Sequence, residues 1–218
     1  MQALFEKYRP RQWSEVVGQD KTVRKIERLA QRGLGGRAFW LSGQSGTGKT
    51  TIARLIAAEV AGEWCIDELD ATDLSASRVR EIERDWQSFG IGEKPGRAYI
   101  VNESHGLRKD TVRQWLTTLE RIPAHVVVIF TTTCEGELSL FDDQIDAHPL
   151  VSRCLELPLS RRGLAEAFAQ RARDIASAEG LNGRPVSSYV NLAKRCKNNF
   201  RQMLQRIEAG QMLDSEDE

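Results

Sequence analysis

At 218 residues the chain is long enough for one large domain, or two smaller ones, to bury a core. Its 40% hydrophobic and 28% charged content is that of a soluble globular protein, and no apolar run approaches the length of a membrane span. Lys+Arg 31 against Asp+Glu 31 leaves no net charge, which excludes a globally basic nucleic-acid binder and confines any such contact to a local patch. The opening Met1-Gln2-Ala3-Leu4-Phe5-Glu6-Lys7 is no signal peptide, and the scattered Cys65, Cys134, Cys154 and Cys196 contain no C-x-x-C pair. Disulfides and a cysteine metal site are therefore not expected, and a cytoplasmic location without membrane partners is.

In chain order, Lys7-Tyr8-Arg9-Pro10 and Val16-Val17-Gly18-Gln19 read from composition alone as a capping loop. Lys21 to Leu29 reads as a helix with Val23, Ile26 and Leu29 on one side. The apolar run Ala38-Phe39-Trp40-Leu41 then leads as a buried strand into Gly43-Gln44-Ser45-Gly46-Thr47-Gly48-Lys49-Thr50, which fits G-x-x-x-x-G-K-[ST] without substitution. Beyond it Ile52, Leu55, Ile56 and Val60 recur at helical spacing until Gly62. Strand, glycine-rich turn and helix start are the context this motif needs. The glycines let successive N–H groups point inward, and the helix dipole adds positive potential there, so phosphate oxygens are cradled. Gly43, Ser45, Gly46, Thr47, Gly48, Lys49, Thr50 and Thr51 form the expected nucleotide set, with Lys49 on the β/γ-phosphates and the Thr50 hydroxyl on Mg²⁺. The ligand expected is a nucleoside triphosphate with Mg²⁺.

Trp64-Cys65-Ile66 is a short strand candidate, and Val79, Ile82, Trp86 and Phe89 form a core-facing helical stripe. Pro95-Gly96 turns the chain into Ala98-Tyr99-Ile100-Val101, an apolar strand ending in Asn102-Glu103-Ser104-His105. Val112, Trp115, Leu116 and Leu119 mark the next helix. His125 to Phe130 is apolar and β-branched, as a central parallel strand should be, and runs into Thr131-Thr132-Thr133 on the face where α/β folds bind ligands. The connection from Glu135 to Val151 carries Asp142, Asp143, Asp146 and His148, read as a solvated acidic loop rather than a metal site. From Ser160 onward the pattern is helical throughout. Leu164, Phe168, Ala172 and Ile175 line a first helix capped by Ser160 and ended by Gly180; Tyr189, Leu192, Ala193 and Cys196 line a second; Phe200, Met203, Leu204 and Ile207 line a third.

Several of these words, in this order, resemble clamp-loader ATPases of the AAA+ superfamily, both the bacterial gamma/tau subunit and the small subunits of replication factor C. The resemblance runs roughly from residue 4 to residue 208. It implies that the opening segment wraps the adenine, with Arg9, Pro10, Val17 and Gln19 near the base. Glu68-Leu69-Asp70-Ala71-Thr72-Asp73 is similar to the replication factor C phrase ELNASD; the family brings an arginine towards DNA just after it, whereas here the loop Leu74-Ser75-Ala76-Ser77-Arg78 is shorter and its arginine displaced. Arg108, Lys109 and Arg113 stand where relatives touch the DNA backbone. In the family the strand ending at Val101 closes on Asp-Glu-x-His; here it reads Asn-Glu-Ser-His. Glu103 keeps the position that polarises the attacking water, while Asn102 replaces the aspartate of the Mg²⁺ shell with a neutral amide. Thr133 matches sensor 1, and Ser152-Arg153-Cys154 matches the S-R-C motif whose arginine enters the neighbouring subunit's ATP site. Asn198-Asn199-Phe200-Arg201 falls on G-D-x-R, making Arg201 the sensor 2 arginine.

The fold implied is a AAA+ P-loop NTPase with a central parallel sheet over residues 1–158, a three-helix lid over 159–210 and an acidic tail at 211–218. Clamp-loader subunits continue into a helical collar, which is expected to be missing here. The function implied is that of a replication ATPase assembling in a homo- or hetero-oligomeric ring on a sliding clamp and primer-template DNA, with hydrolysis slowed at Asn102. A self-assembling remodeller acting on a helicase, recombinase or other protein is the alternative, as is an ATP-binding structural subunit with little turnover.

Overall fold

The β-branched run after His125 becomes the most deeply buried element of the molecule. In the computed structural model, which describes residues 2–133 and 147–213, all seven residues of that strand are buried at the centre of a five-stranded sheet. The strands are β1 (Arg37–Ser42), β2 (Ala61–Asp70), β3 (Gly96–Asn102), β4 (Val126–Thr132) and β5 (Leu155–Pro158), in the order β2-β3-β4-β1-β5, all parallel. Parallel pairing demands long crossovers, and helices supply them: α3 (Lys49–Val60) after β1, α4 (Ala76–Asp85) after β2, α5 (Lys109–Thr118) after β3. A helix α2 (Asp20–Ala30) precedes β1, and α6 (Ala147–Ser152) precedes β5.

Alternation along the strands divides the core between two faces. Ala38, Trp40, Tyr99, Val101, Val126, Val128 and Phe130 pack with Val79, Ile82 and Trp86 of the α4 region and with Val112 and Trp115 of α5. Trp115 stands edge-on to Phe130 at 5.3 Å between ring centroids. Helix α3 covers β3 and β4. The register aligns Ser42 with Thr132 and Asp70 with Asn102, so β1, β2, β3 and β4 end at one rim. That rim is the ligand-binding edge of an open α/β sheet.

Two compact units emerge. One comprises Lys21–Gly43 and Lys49–Leu159 and holds the sheet; the other comprises the described residues of Met1–Asp20, Gln44–Gly48 and Ser160–Glu218. The second unit is helical: α1 (Leu4–Lys7), α7 (Ala165–Ala178), α8 (Val186–Arg195) and α9 (Phe200–Glu208). Its core joins Phe168, Ala172, Ile175, Tyr189, Leu192, Met203, Leu204 and Ile207 with Leu4 of α1. The opening segment is thus part of a helical core and not only a loop. Tyr8 and Lys7 both donate to Glu179 Oε1, fastening it further.

Three local expectations need correction. Helix α4 stops at Asp85, so Phe89 leaves the stripe, lies 64% exposed and stacks against His125 at 4.3 Å. The strand expected at Trp64–Ile66 extends over ten residues because its pairing with β3 continues to Asp70, and Trp64 on this edge strand is 95% exposed. Ser160 does not cap α7: the helix begins after Leu164, and the Ser160 hydroxyl instead accepts from Arg162 N. The acidic connection with Asp142, Asp143 and Asp146, the His148 side chain and the tail Asp214–Glu218 lie outside the described residues. Among the described residues no helix is long and apolar enough to cross a membrane.

Candidate nucleotide-binding site

β1 ends at Ser42 and α3 begins at Lys49, so the glycine-rich motif forms the turn that aims the first turn of α3 at the rim. Three of its residues have left-handed backbones, Gly43 (φ +146°), Gly46 (φ +79°) and Gly48 (φ +96°), which L side chains rarely adopt. A Cβ on Gly43 would meet Leu159 O at 2.5 Å, because Leu159 N donates to Ser42 O and holds the chain after β5 against the end of β1. Lys49 is 7% exposed and its Nζ donates to Gly43 O at 2.7 Å. Thr50 and Thr51 follow in the first turn of α3, both half-buried. Within the helical unit Thr47 Oγ1 donates to Gln44 O, and buried Gln19 donates from Nε2 to both Thr47 O and Ser160 O. Gln19, expected near the base, fastens the loop by its amide.

The other half of the rim comes from β3 and β4. Glu103 is a non-glycine residue in the left-handed region (φ 50°, ψ 48°), turning the chain out of β3 into the 3₁₀ turn Ser104–Gly106. Such strain persists only where surrounding structure enforces it, and it clusters at functional sites. Here Thr133 Oγ1 donates to Glu103 Oε2 at 3.1 Å, and His105 Nδ1 lies 3.5 Å from the same oxygen. Asn102 is held on both sides: Thr131 Oγ1 donates to its Oδ1 at 2.9 Å, and its Nδ2 donates to Glu68 Oε1 at 2.7 Å. Asp70, on the same face of β2, accepts from Thr72 N and Oγ1, which holds its carboxyl below the usual range.

The remaining predicted residues fall as follows. Arg153, in the turn between α6 and β5, reaches Glu120 and the Pro149 carbonyl. Arg108, Lys109 and Arg113 are exposed at the start of α5. Arg78, in the first turn of α4, pairs with Glu81 at 3.0 Å. In the helical unit Arg9 pairs with Glu6, Pro10 is half-buried, Val17 packs against the core, and the Arg201 guanidinium sits 5.1 Å from the Phe5 ring centroid. Asn198 has a left-handed backbone (φ 55°) and the Asn199 side chain caps α9 by accepting from Gln202 N at 3.1 Å. These are the tasks a glycine and an aspartate perform, and asparagine is the side chain that tolerates the first and suits the second. Glu68, Thr131 and His105 stood in motif words without a role of their own, and Arg54 stood in none; the neutral Asn102 was the signal to look for a carboxylate nearby.

Residues 39–145 match the ATPase family associated with various cellular activities (AAA). The DNA polymerase III gamma subunit of Buchnera aphidicola is 29% identical over 72% of this chain and 48% of its own length. The replication factor C small subunit of Methanosarcina acetivorans is 29% identical over 97% of this chain and 61% of its own length. The chain has the AAA+ P-loop NTPase fold, and its sequence over residues 39–145 is similar to that of AAA ATPases. The chain spans about half the length of the curated relatives it matches first. A Thermotoga maritima RuvB variant shares the AAA+ fold, with a TM-score of 0.72 at 21% identity over 92% of this chain and 64% of that one. Among the described residues there is no group of three or more His, Cys, Asp or Glu side chains that could hold a metal ion.

Proposed function

We propose that this chain binds ATP with Mg²⁺ and hydrolyses it as one subunit of a clamp-loader-like assembly in DNA replication. The observation that carries the reading is Glu103, held in a left-handed turn against Thr133 at the rim where the Lys49 loop ends, in a chain related to gamma, tau and replication factor C small subunits. Phosphate binding is supported by the unbroken G-x-x-x-x-G-K-[ST] motif and by Lys49 and Thr50 in the first turn of a 12-residue helix, where an anion is favoured. Lys49 exchanges its bond to Gly43 O for phosphate oxygens. The Thr50 hydroxyl and, through water, Asn102 would hold Mg²⁺, which supplies positive charge to those oxygens. Glu103 accepts a proton from the water that attacks the γ-phosphorus. A P–O bond forms to that oxygen, the bond to the β-phosphate bridge breaks, and ADP and phosphate leave. Thr133 orients Glu103 for this, and Arg153 stabilises the transferring group of a neighbouring subunit.

The partners proposed are like or unlike AAA+ subunits in a ring, a sliding clamp and primer-template DNA, with Arg108, Lys109 and Arg113 on backbone phosphates. Base contacts by Arg9, Pro10 and Val17, and the phosphate role of Arg201, rest on the resemblance. The test is steady-state turnover with and without primed DNA and a candidate clamp. Stimulation by both together is expected; no stimulation by either, with ATP binding intact, overturns the clamp-loader part. Asn102 favours one second reading, an ATP-binding subunit with slow turnover, because losing an outer-shell partner of the metal costs about 10–100-fold.

A further inference from the structure

We infer that Glu68 is a positioning residue of this site: through the Asn102 amide it brings to the rim, from β2, the carboxylate that β3 lacks. The inference rests on the ATP-site reading above and deepens it. β2 and β3 are parallel with Glu68 opposite Ile100 and Asp70 opposite Asn102, so Glu68 and Asn102 lie one pleat apart on one face. Glu68 Oε1 accepts from Asn102 Nδ2 at 2.7 Å, and its Oε2 accepts from Arg54 Nε at 2.8 Å. Arg54 is on α3, the helix that begins with Lys49 and Thr50. A single chain of polar contacts therefore runs Arg54–Glu68–Asn102–Thr131, across α3, β2, β3 and β4.

The chemistry of the donors fixes the direction of this chain. An ionised carboxylate only accepts, so Nδ2 of Asn102 must face Glu68 and Oδ1 must face β4. Thr131, whose hydroxyl can donate or accept, then donates to Oδ1. The oxygen keeps a second lone pair for the water shell of a cation. An aspartate at 102 has no proton to offer, and beside Glu68 it sets two acceptors of like charge against each other. Asparagine at this position is thus the side chain that fits a glutamate on β2, and the pair replaces an aspartate on β3. A plain Arg54–Glu68 surface pair, half-exposed as both are, would leave the choice at 102 indifferent to Glu68.

The intact chain tests this by a double-mutant cycle of Asn102→Asp and Glu68→Gln, read first by thermal unfolding without nucleotide. Asn102→Asp is expected to lower the melting temperature with Glu68 present and to be close to neutral with Glu68→Gln, whose amide donates to the new carboxylate. The second readout is affinity for a fluorescent ATP analogue with and without Mg²⁺. Glu68→Gln alone is expected to weaken the Mg²⁺-dependent affinity by about 10-fold, the lower end of the outer-shell range, and to leave the Mg²⁺-free affinity unchanged. Additive melting shifts, or Mg²⁺-dependent affinity indifferent to Glu68, overturn the inference. Lys49→Ala in parallel separates the failures. If it leaves ATP-analogue binding intact, the ATP-site reading falls; if it abolishes binding while the cycle is additive, only the role of Glu68 falls.

Discussion

The Arg153 guanidinium is held by Glu120 of its own chain, with Nη2 at 2.8 Å and Nε at 3.3 Å from Oε1. The side chains are 35% and 61% exposed, and ion pairs of this kind contribute about 0–1 kcal/mol. Glu120 therefore desolvates the arginine little, and giving up this pair costs little.

From this pair comes the first prediction. Arg153→Ala is expected to keep ATP affinity and lose turnover by roughly 10³–10⁵, the range for arginine fingers. Mixed with Lys49→Ala subunits, it should recover part of the activity, because some interfaces then combine an intact loop with an intact arginine. Phosphate release over a series of mixing ratios checks this. Mixed complexes that assemble but never recover would sink action in trans.

Lys49→Ala is expected to abolish ATP binding while the protein stays folded. The substitution removes the hydrogen bond to Gly43 O, about 1 kcal/mol. A loss of that size moves the melting temperature of a chain of this length by about 2–4 °C. Nucleotide titration beside a melting curve separates lost binding from lost fold. Retained affinity at matched stability counts against the site.

Glu103→Gln is expected to bind ATP with unchanged affinity and to turn it over about 10²–10⁴-fold more slowly, the contribution of a general base. The amide keeps an oxygen for the Thr133 hydroxyl, so the left-handed turn should survive. Pre-steady-state phosphate release at saturating ATP-Mg²⁺ is the measurement, and wild-type rates in this variant would remove Glu103 from the chemistry.

What was legible in the sequence was whatever a local pattern specifies. Val126 to Phe130 had to be a buried parallel strand, and the glycines of 43–48 had to turn between a strand and a helix. Phe89 was misread because helical spacing continues past Asp85 in the sequence, whereas the chain turns away there and the ring finds His125 instead. The role of Glu68 beside Asn102 was illegible for a different reason. Its importance comes from a partner 34 residues away, joined to it only by strand register. Asn198 and Asn199 stand where a G-D word was expected, and their local roles, a left-handed backbone and a cap on α9, appear only in the folded chain.

The loop also makes a prediction about fold, through Gly46. Its backbone is left-handed, and a Cβ there would lie 2.1 Å from Asn199 Oδ1, the oxygen that caps α9. Gly46→Ala therefore combines two costs. The left-handed conformation of an L residue takes about 1–2 kcal/mol. Pushing the cap aside takes about 0.5–2 kcal/mol more. Together they should lower the melting temperature by several degrees, at about 2–4 °C per kcal/mol for a chain of this size. The two residues touch, so their effects should not add. In an Asn199→Ala background the cap is already gone and the obstructing oxygen with it, and Gly46→Ala should then cost the backbone strain and the 3.3 Å approach to the Cα of residue 199 but not the lost cap. Four melting curves complete the cycle: wild type, each single variant and the double. If Gly46→Ala lowers the melting temperature equally with and without Asn199, the loop and the start of α9 are not coupled through that contact, and Asn199 is a helix cap alone.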